Sequence, residues 1–137
     1  MTPAPVNLIP TGATATRSVV VTPDLTVAHY HRGLPEAYGT PMLVYLMEVA
    51  AGDAIQRFLP EGWASVGVGV SIRHLAATPV GRTVTATATV TRVDERTVTF
   101  TVTAHDGVEM IGEGTHVRAP IELARFNKRL AEKALAS

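Results

Sequence analysis

Two runs of strict alternation between threonine and apolar residues constrain the fold of this chain more than any other feature. From residue 84 to 91 valine or alanine alternates with threonine, and from residue 97 to 104 threonine alternates with valine, phenylalanine or alanine. Successive side chains of a strand point to opposite faces, so each run predicts a strand with one buried and one hydrated face. The short polar segment containing Asp94, Glu95 and Arg96 predicts that the two strands form an antiparallel hairpin.

The remaining segments predict further strands and two helices. Four more strands are expected at residues 15–21, 25–30, 66–74 and 109–117. Residues 40–59 repeat apolar side chains at offsets of three and four, which is typical of a helix, with Thr40 as the N-cap and Pro41 at the first helical position. A surface helix is expected at residues 123–134. The fold class is therefore α+β, with a long helix on an antiparallel sheet.

The predicted central helix is apolar over most of its surface. Between residues 41 and 59 strong polar groups occur only at Glu48, Asp53, Gln56 and Arg57, so protein is expected to surround the helix. One sheet and one tail are too small to do this alone. The sequence therefore predicts a homodimer, or a higher oligomer built from it.

Length and composition limit the class of protein. A chain of 137 residues fits one domain, expected at residues 15–137 behind a flexible arm at residues 1–14 that does not resemble a signal peptide. Lys plus Arg and Asp plus Glu number 12 each, so no net positive field attracts nucleic acid. Without cysteine or a run of about 20 apolar residues, disulfides and a membrane span are excluded, and a cytoplasmic location is expected.

Glu48 is the most informative polar residue of the central helix. Its neighbours three and four positions away are Val44, Tyr45, Ala51 and Gly52, none of which is a cation. The carboxylate therefore either points past the helix edge into water or is desolvated, and a desolvated carboxyl suits a general acid or base. The local sequence leaves both alternatives open.

Thr40, His74 and Gly67 are further candidates. A hydroxyl at a helix N-terminus caps the helix, and the free N–H groups there also favour a developing negative charge. His74 ends a predicted strand, where it is either bound to backbone or available for acid–base chemistry near neutral pH. Gly67 and Gly69 within one strand indicate a bulge, a close approach of a ligand, or close packing on the helix.

No metal or other cofactor is expected. His29 and His31 have the spacing that places two side chains on one face of a strand, but the further ligands that zinc requires are not evident nearby. His105 and His116 are interpreted as turn and strand residues.

Several segments together resemble the fluoroacetyl-CoA thioesterase group of the hotdog fold. They are residues 40–48 (TPMLVYLME), 67–74 (GVGVSIRH), 76–79 (AATP), 104–108 (AHDGV), 111–118 (IGEGTHVR) and 125–127 (RFN). The resemblance covers most of the chain after residue 35. It implies an antiparallel β-sheet wrapped around a long central helix, with a short C-terminal helix, and the hydrolysis of an acyl-CoA to free acid and CoA.

The resemblance also implies roles for individual residues. Thr40, Glu48 and His74 match the catalytic triad of that group, and Gly67 and Arg118 match positions used at the substrate. Arg118 is expected to supply a charge for the CoA phosphates.

The loop before Thr40 departs from that group. Members selective for the fluorinated acyl group carry phenylalanines there, whereas residues 30–39 contain none. Tyr38 and Leu34 are therefore expected to shape the acyl pocket, for a different short acyl chain.

Two alternatives remain beside the thioesterase interpretation. A hotdog hydratase acting on an enoyl thioester is disfavoured, because a Gly-Asp-x-Asn-Pro-type loop is absent. A non-catalytic acyl-CoA-binding module would keep the pocket and the dimer without turnover. Release of free thiol from short acyl-CoAs distinguishes this module from an enzyme.

Overall fold

The two threonine-rich runs form neighbouring strands of a five-stranded antiparallel sheet in the computed structural model, which describes residues 4–137. The strands are β1 (Thr14–Val20), β2 (Trp63–His74), β3 (Thr83–Val93), β4 (Val98–His105) and β5 (Met110–Glu122). Their order in the sheet is β1-β3-β4-β5-β2. The helices are α1 (Val27–Tyr30), α2 (Thr40–Gln56) and α3 (Leu123–Ala134), with 3-10 turns at Val6–Leu8 and Pro23–Leu25.

The core lies between the sheet and α2. Each valine, alanine and phenylalanine of the alternating part of β3 and β4 is buried, whereas the threonines between them are partly or fully exposed. From α2, Leu43, Met47, Ala50 and Ile55 pack against this face with at most 2% exposure. Each large apolar side chain buried in this way contributes about 1.5–3 kcal/mol. The α+β class and the sheet wrapped around one long helix are therefore confirmed.

Residues 25–30, expected as a strand, form the end of a 3-10 turn followed by α1. Pro23 opens the turn, and the backbone N–H groups of Val27 and Ala28 donate to the returning loop at Ala37 and Pro35. These donors are therefore not available to a sheet. His29 and His31 do not share a strand face, and residues 4–137 contain no cluster of three or more metal-ligating side chains.

The segment expected as a flexible arm contributes to the core in its described part. Val6, Ile9 and Ala13 are buried. The backbone of Gly12 donates to the Val90 carbonyl, and Val90 donates back to Ala13, both at 2.8 Å. Residues 4–13 therefore pack beside β3, while residues 1–3 lie outside the described range.

Strand β2 forms one edge of the sheet and is exposed in its middle. Residues 67–71 are all exposed, with Val68 at 57% and Val70 at 42%. The outer edge of a sheet carries unpaired N–H and C=O groups that can pair with another chain. None of the helices within residues 4–137 has the length and apolar character needed to cross a bilayer.

Candidate active site

Thr40 and His74, which the sequence separates by 34 positions, are in direct contact. The Thr40 Oγ1 atom lies 2.7 Å from His74 Nδ1. Gly39 is the N-cap of α2, one residue before the predicted position, and it makes no side-chain capping bond. The Thr40 hydroxyl is therefore directed to the imidazole rather than to the helix backbone.

His74 has one ring nitrogen without a partner. The Nε2 atom is buried and forms no hydrogen bond within residues 4–137. Burial lowers the pKa of His74 below its ordinary value of 6.5, which favours the neutral ring at pH 7. Leaving a buried polar atom unsatisfied costs about 1–3 kcal/mol. Such an atom is available to form a hydrogen bond with a bound substrate.

Glu48 receives from β5 the cation that its own helix does not supply. Its Oε2 atom lies 3.5 Å from Arg118 Nη1, and its side chain is 38% exposed. The carboxylate therefore has a guanidinium on one side and access to solvent on the other. Neither of the two alternatives from the local sequence describes it fully, because the cation comes from a residue 70 positions away.

Arg118 is anchored by several groups besides Glu48. Its Nε donates to Ser65 Oγ and its Nη2 donates to the Ser65 carbonyl, both at 2.8 Å. Its Nη1 donates to His116 Nε2 at 3.2 Å. The side chain is only 10% exposed. Arg118 is therefore fixed in the wall of the site, and few of its N–H donors remain free to bind the CoA phosphates expected from the sequence.

His116 has a fixed protonation state in this network. Arginine can only donate hydrogen bonds, so His116 Nε2 must accept the bond from Arg118. The proton is then on Nδ1, which donates to the Gly69 carbonyl at 2.8 Å. Burial, together with the Arg118 charge, lowers the pKa of His116. The neutral ring is thus locked between Arg118 and the backbone of β2.

The glycines of β2 form a β-bulge that decides which residues face α2. The pairing of β2 with β5 shifts between Gly67 and Gly69. Side chains alternate along a regular strand, so residues 67 and 74, seven positions apart, would otherwise lie on opposite faces. The extra residue in the bulge lets Gly67 approach Glu48 while His74 contacts Thr40 on the same face.

The predicted site residues form two clusters within one chain. Thr40 contacts His74, and Glu48 lies with Gly67 and Arg118. Thr40 and Glu48 are eight residues apart on α2, which separates them by about 12 Å along the helix. Within residues 4–137 of one copy of the chain, no hydrogen bond or ion pair therefore joins Glu48 to His74.

Tyr38 and Leu34 lie apart from the carboxylate. Tyr38 is 2% exposed and donates its hydroxyl to the Met42 carbonyl at 3.1 Å. Burial raises its pKa to about 12. Leu34 is 47% exposed on the loop before α2. The structure thus places Tyr38 in the core beside the start of α2 and does not place either side chain in the cavity at Glu48.

A cavity of about 320 Å³ opens over Glu48. Its walls include Tyr45, Val49, Gly52, Ser65 and Arg118. The sequence did not predict that Tyr45, Ser65 and His116 lie at the site. The spacing of His116 and Arg118, two apart on one strand, was the available signal that both face the same side. Ser65 and Gly67 are likewise two positions apart on one strand.

The family model described as "Fluoroacetyl-CoA-specific thioesterase" matches residues 21–124. The chain belongs to this family. The matched residues include α2, β2 and β5, the three elements on which the two clusters of the site lie. The resemblance drawn from the sequence is therefore confirmed.

A curated relative supports the same assignment. The Fluoroacetyl-CoA thioesterase of Streptantibioticus cattleyicolor is 40% identical over 131 residues, which cover 91% of this thioesterase-family chain and 94% of the relative.

Solved structures agree in fold. A structure of a fluoroacetyl-CoA thioesterase superposes with a TM-score of 0.86 at 40% identity, covering 91% of this chain and 97% of the other. A variant of that enzyme in complex with fluoroacetate and CoA gives 0.81 at 41% identity, covering 86% and 97%. A hot-dog-like protein from Thermanaerovibrio acidaminovorans gives 0.86 at 28% identity, covering 96% of each chain.

Proposed function

We propose that this chain hydrolyses short or small substituted acyl-CoA thioesters to the free acid and CoA. Its thioesterase family, and its 40% identity to a fluoroacetyl-CoA thioesterase over nearly the whole chain, support thioester hydrolysis. The observation that carries the proposal is the Thr40–His74 contact at 2.7 Å, with the second ring nitrogen buried and free of any bond within residues 4–137. The ring is thus oriented by one atom and available at the other.

Hydrolysis of a thioester requires three functions. A nucleophile must attack the carbonyl carbon, the oxyanion must be stabilised, and the departing thiolate must receive a proton. Glu48 either attacks the carbonyl itself, giving an anhydride that water then opens, or takes a proton from the attacking water. In both routes the C–S bond breaks, and the neutral His74 ring passes the proton lost by the attacking water to the departing thiolate.

The remaining residues orient these groups. Thr40 positions the imidazole through its hydroxyl, and the free N–H groups at the start of α2 favour negative charge nearby. The Arg118 guanidinium holds the Glu48 carboxylate in position through their ion pair. Gly67 has no side chain, which leaves room for Glu48 Oε2 to approach the backbone of β2.

Glu48 and His74 act on one thioester only if a second copy of the chain completes the site. The exposed edge of β2 is suited to pair antiparallel with the same strand of a partner. A two-fold axis beside Gly69, the middle of the exposed run, pairs residue 74 with residue 64, five positions to either side. An axis beside Val70 pairs residue 74 with residue 66.

Either register has the same consequence for the site. It brings His74 of the partner subunit opposite residues 64–66, beside Ser65 and the Gly67 that Glu48 approaches. The proposed homodimer then contains two identical sites, each with Glu48 from one subunit and the Thr40–His74 pair from the other. It also covers Val68 and Val70.

The acyl group is proposed to be small and different from the fluorinated one. The cavity at Glu48 has a volume of about 320 Å³, near the lower end for ligand pockets. The loop at residues 30–39 contains no phenylalanine. Tyr45, which is 65% exposed beside Glu48, is the aromatic side chain available to contact an acyl chain.

Release of free thiol tests the proposal. The wild-type chain is assayed with acetyl-, halogenated, branched and aromatic acyl-CoAs, beside Glu48→Gln, His74→Ala and, as a control on an exposed loop, Glu61→Gln. Turnover of at least one short acyl-CoA is expected, with losses of about 100-fold or more in the first two variants only. Turnover unchanged by both substitutions, or none with any thioester, contradicts the proposal.

A further inference from the structure

A second cavity lies at the opposite end of β2 from His74. It has a volume of about 330 Å³, is open to solvent, and is lined by residues from the start of β2, the turn between β3 and β4, the end of β5 and the first turns of α3. The side chains that define its chemistry are Trp63, Phe126, Arg96, Arg125, Arg129 and Glu122. We call it the arginine cavity.

The arginine cavity combines positive charge with aromatic surface. Its lining contains three arginines and one glutamate, and Arg96, Arg125 and Arg129 form no side-chain hydrogen bond or ion pair within residues 4–137. Guanidinium groups bind phosphates through paired N–H donors. Trp63 and Phe126 add ring faces on which a purine base can stack. A phosphorylated nucleoside fits both features.

Arg118 cannot serve the same purpose. Its donors are directed to Ser65, His116 and Glu48, and its side chain is 10% exposed. The chain as a whole has no net charge, so the arginines of this cavity form a local excess rather than part of a general basic surface. The phosphates of an acyl-CoA therefore need a different set of cations.

The paired strands β2 and β5 run from the arginine cavity to Glu48. Gly67, next to Glu48, pairs with Arg118, and four residues earlier Trp63 pairs with Glu122. At about 3.3 Å per residue this places Trp63 roughly 13 Å from Gly67 along β2. In an acyl-CoA the flexible pantetheine arm separates the thioester from the nucleotide, so one molecule can reach both places.

We propose that the arginine cavity binds the adenosine 3′-phosphate 5′-diphosphate end of the acyl-CoA. The inference rests on the proposed thioesterase activity and assigns the binding of the nucleotide to Arg96, Arg125 and Arg129. Trp63 and Phe126 provide the surface for the adenine ring.

The test compares two substrates that differ only in the nucleotide. Short acyl-CoA and the matching acyl-pantetheine are assayed with wild type, Arg96→Gln, Arg125→Gln and Arg129→Gln. Lys133→Gln on α3, outside the cavity, is the charge control, and Arg125→Lys preserves the charge. Each Arg→Gln change should raise KM for acyl-CoA about tenfold, leave kcat unchanged and leave acyl-pantetheine within twofold. Lys133→Gln should not change KM, and Arg125→Lys should recover part of it.

Direct binding separates this inference from the proposed activity. Adenosine 3′,5′-bisphosphate, added as a probe in titration calorimetry, should bind wild type and lose binding in the triple Arg→Gln variant. Equal binding by both proteins, or KM values that rise equally for both substrates, overturns the inference. If wild type turns over no thioester at all, the proposed function fails, and the calorimetric result still decides whether the cavity binds a nucleotide.

Discussion

Glu48 Oε2 lies 2.8 Å from the point that a Cβ atom on Gly67 would occupy. His116 Cε1 would be 3.1 Å from the same atom. A methyl group at this position therefore displaces the Glu48 carboxylate, whose flexible end moves more easily than the buried imidazole. The absence of a side chain at residue 67 is thus linked to the position of the acid.

Gly67→Ala should reduce kcat by about 100-fold, because a displacement of about 1 Å in a catalytic group has effects of this size. The free energy of unfolding should change little, since a side-chain end can shift. Gly69→Ala is the matched control within one subunit, because its Cβ would meet only Val117 Cβ at 3.9 Å. Size-exclusion chromatography checks that this variant keeps the proposed dimer, whose two-fold axis lies beside it. The measurement is thiol release by both variants with urea unfolding alongside. Equal activity in the two variants contradicts the account.

Thr40→Val should reduce kcat by about 100-fold while the fold is kept, since valine preserves the shape of threonine and removes the hydroxyl that contacts His74. Thr40→Ser keeps the hydroxyl and should retain most of the activity. The pair of variants is compared in thiol-release kinetics at pH 7.5. A serine variant as impaired as the valine variant argues that Thr40 acts through packing and not through its hydroxyl.

Burial lowers the pKa of His74 below 6.5, which predicts the pH dependence of activity. The plot of kcat/KM against pH should be flat around neutrality and fall on an acid limb with a midpoint below 6.5. Titration of the His74 ring by NMR, assigned with His74→Gln, should give the same direction. A ring that titrates above 6.5 contradicts this part of the account.

The free energy of unfolding should also depend on pH. Burial lowers the pKa of both His74 and His116 in the folded state, so the unfolded chain binds protons first as the pH falls. Stability is therefore highest above about 6.5 and decreases through the window between that value and the lower folded pKa values. Urea unfolding at pH 7.5 and 5.5 measures the decrease. A variant in which the exposed His29 and His31 are replaced by Gln should show the same decrease in the free energy of unfolding.

Arg118→Lys should lower the free energy of unfolding by about 1–3 kcal/mol. A lysine cannot donate to Ser65, His116 and Glu48 together, so buried acceptors lose their partners. Arg92→Lys is the comparison, because the Arg92–Asp94 pair is exposed and should contribute at most about 1 kcal/mol. Equal effects of the two substitutions in urea unfolding would show that the Arg118 network has no special structural role.

The sequence predicted the parts of the fold that depend on local periodicity. The alternation at residues 84–91 and 97–104 located β3 and β4, and the apolar stripe located α2. Residues 25–30 were assigned wrongly, because their backbone donors are satisfied by a loop that returns at Ala37 and Pro35. Local composition contains no information about such a partner.

The site was less accessible to sequence reasoning. The local sequence made Thr40, Glu48 and His74 candidates but left their roles open, and a family resemblance assigned them to a triad. Their contacts depend on pairings far apart in the chain. The cation beside Glu48 is 70 positions away on β5. The neutral state of His116 follows only from Arg118 being next to it. Such relationships become visible only when strand register is known.

The most direct test of the account is to mix two inactive variants, Glu48→Gln and His74→Ala, unfold them together and refold them. If each site takes Glu48 from one subunit and His74 from the other, a mixed dimer contains one intact site. Random assortment makes half of the dimers mixed, so about a quarter of wild-type activity should return. A mixture that remains as inactive as its components, although size-exclusion chromatography and mass spectrometry detect the mixed dimer, contradicts the shared site.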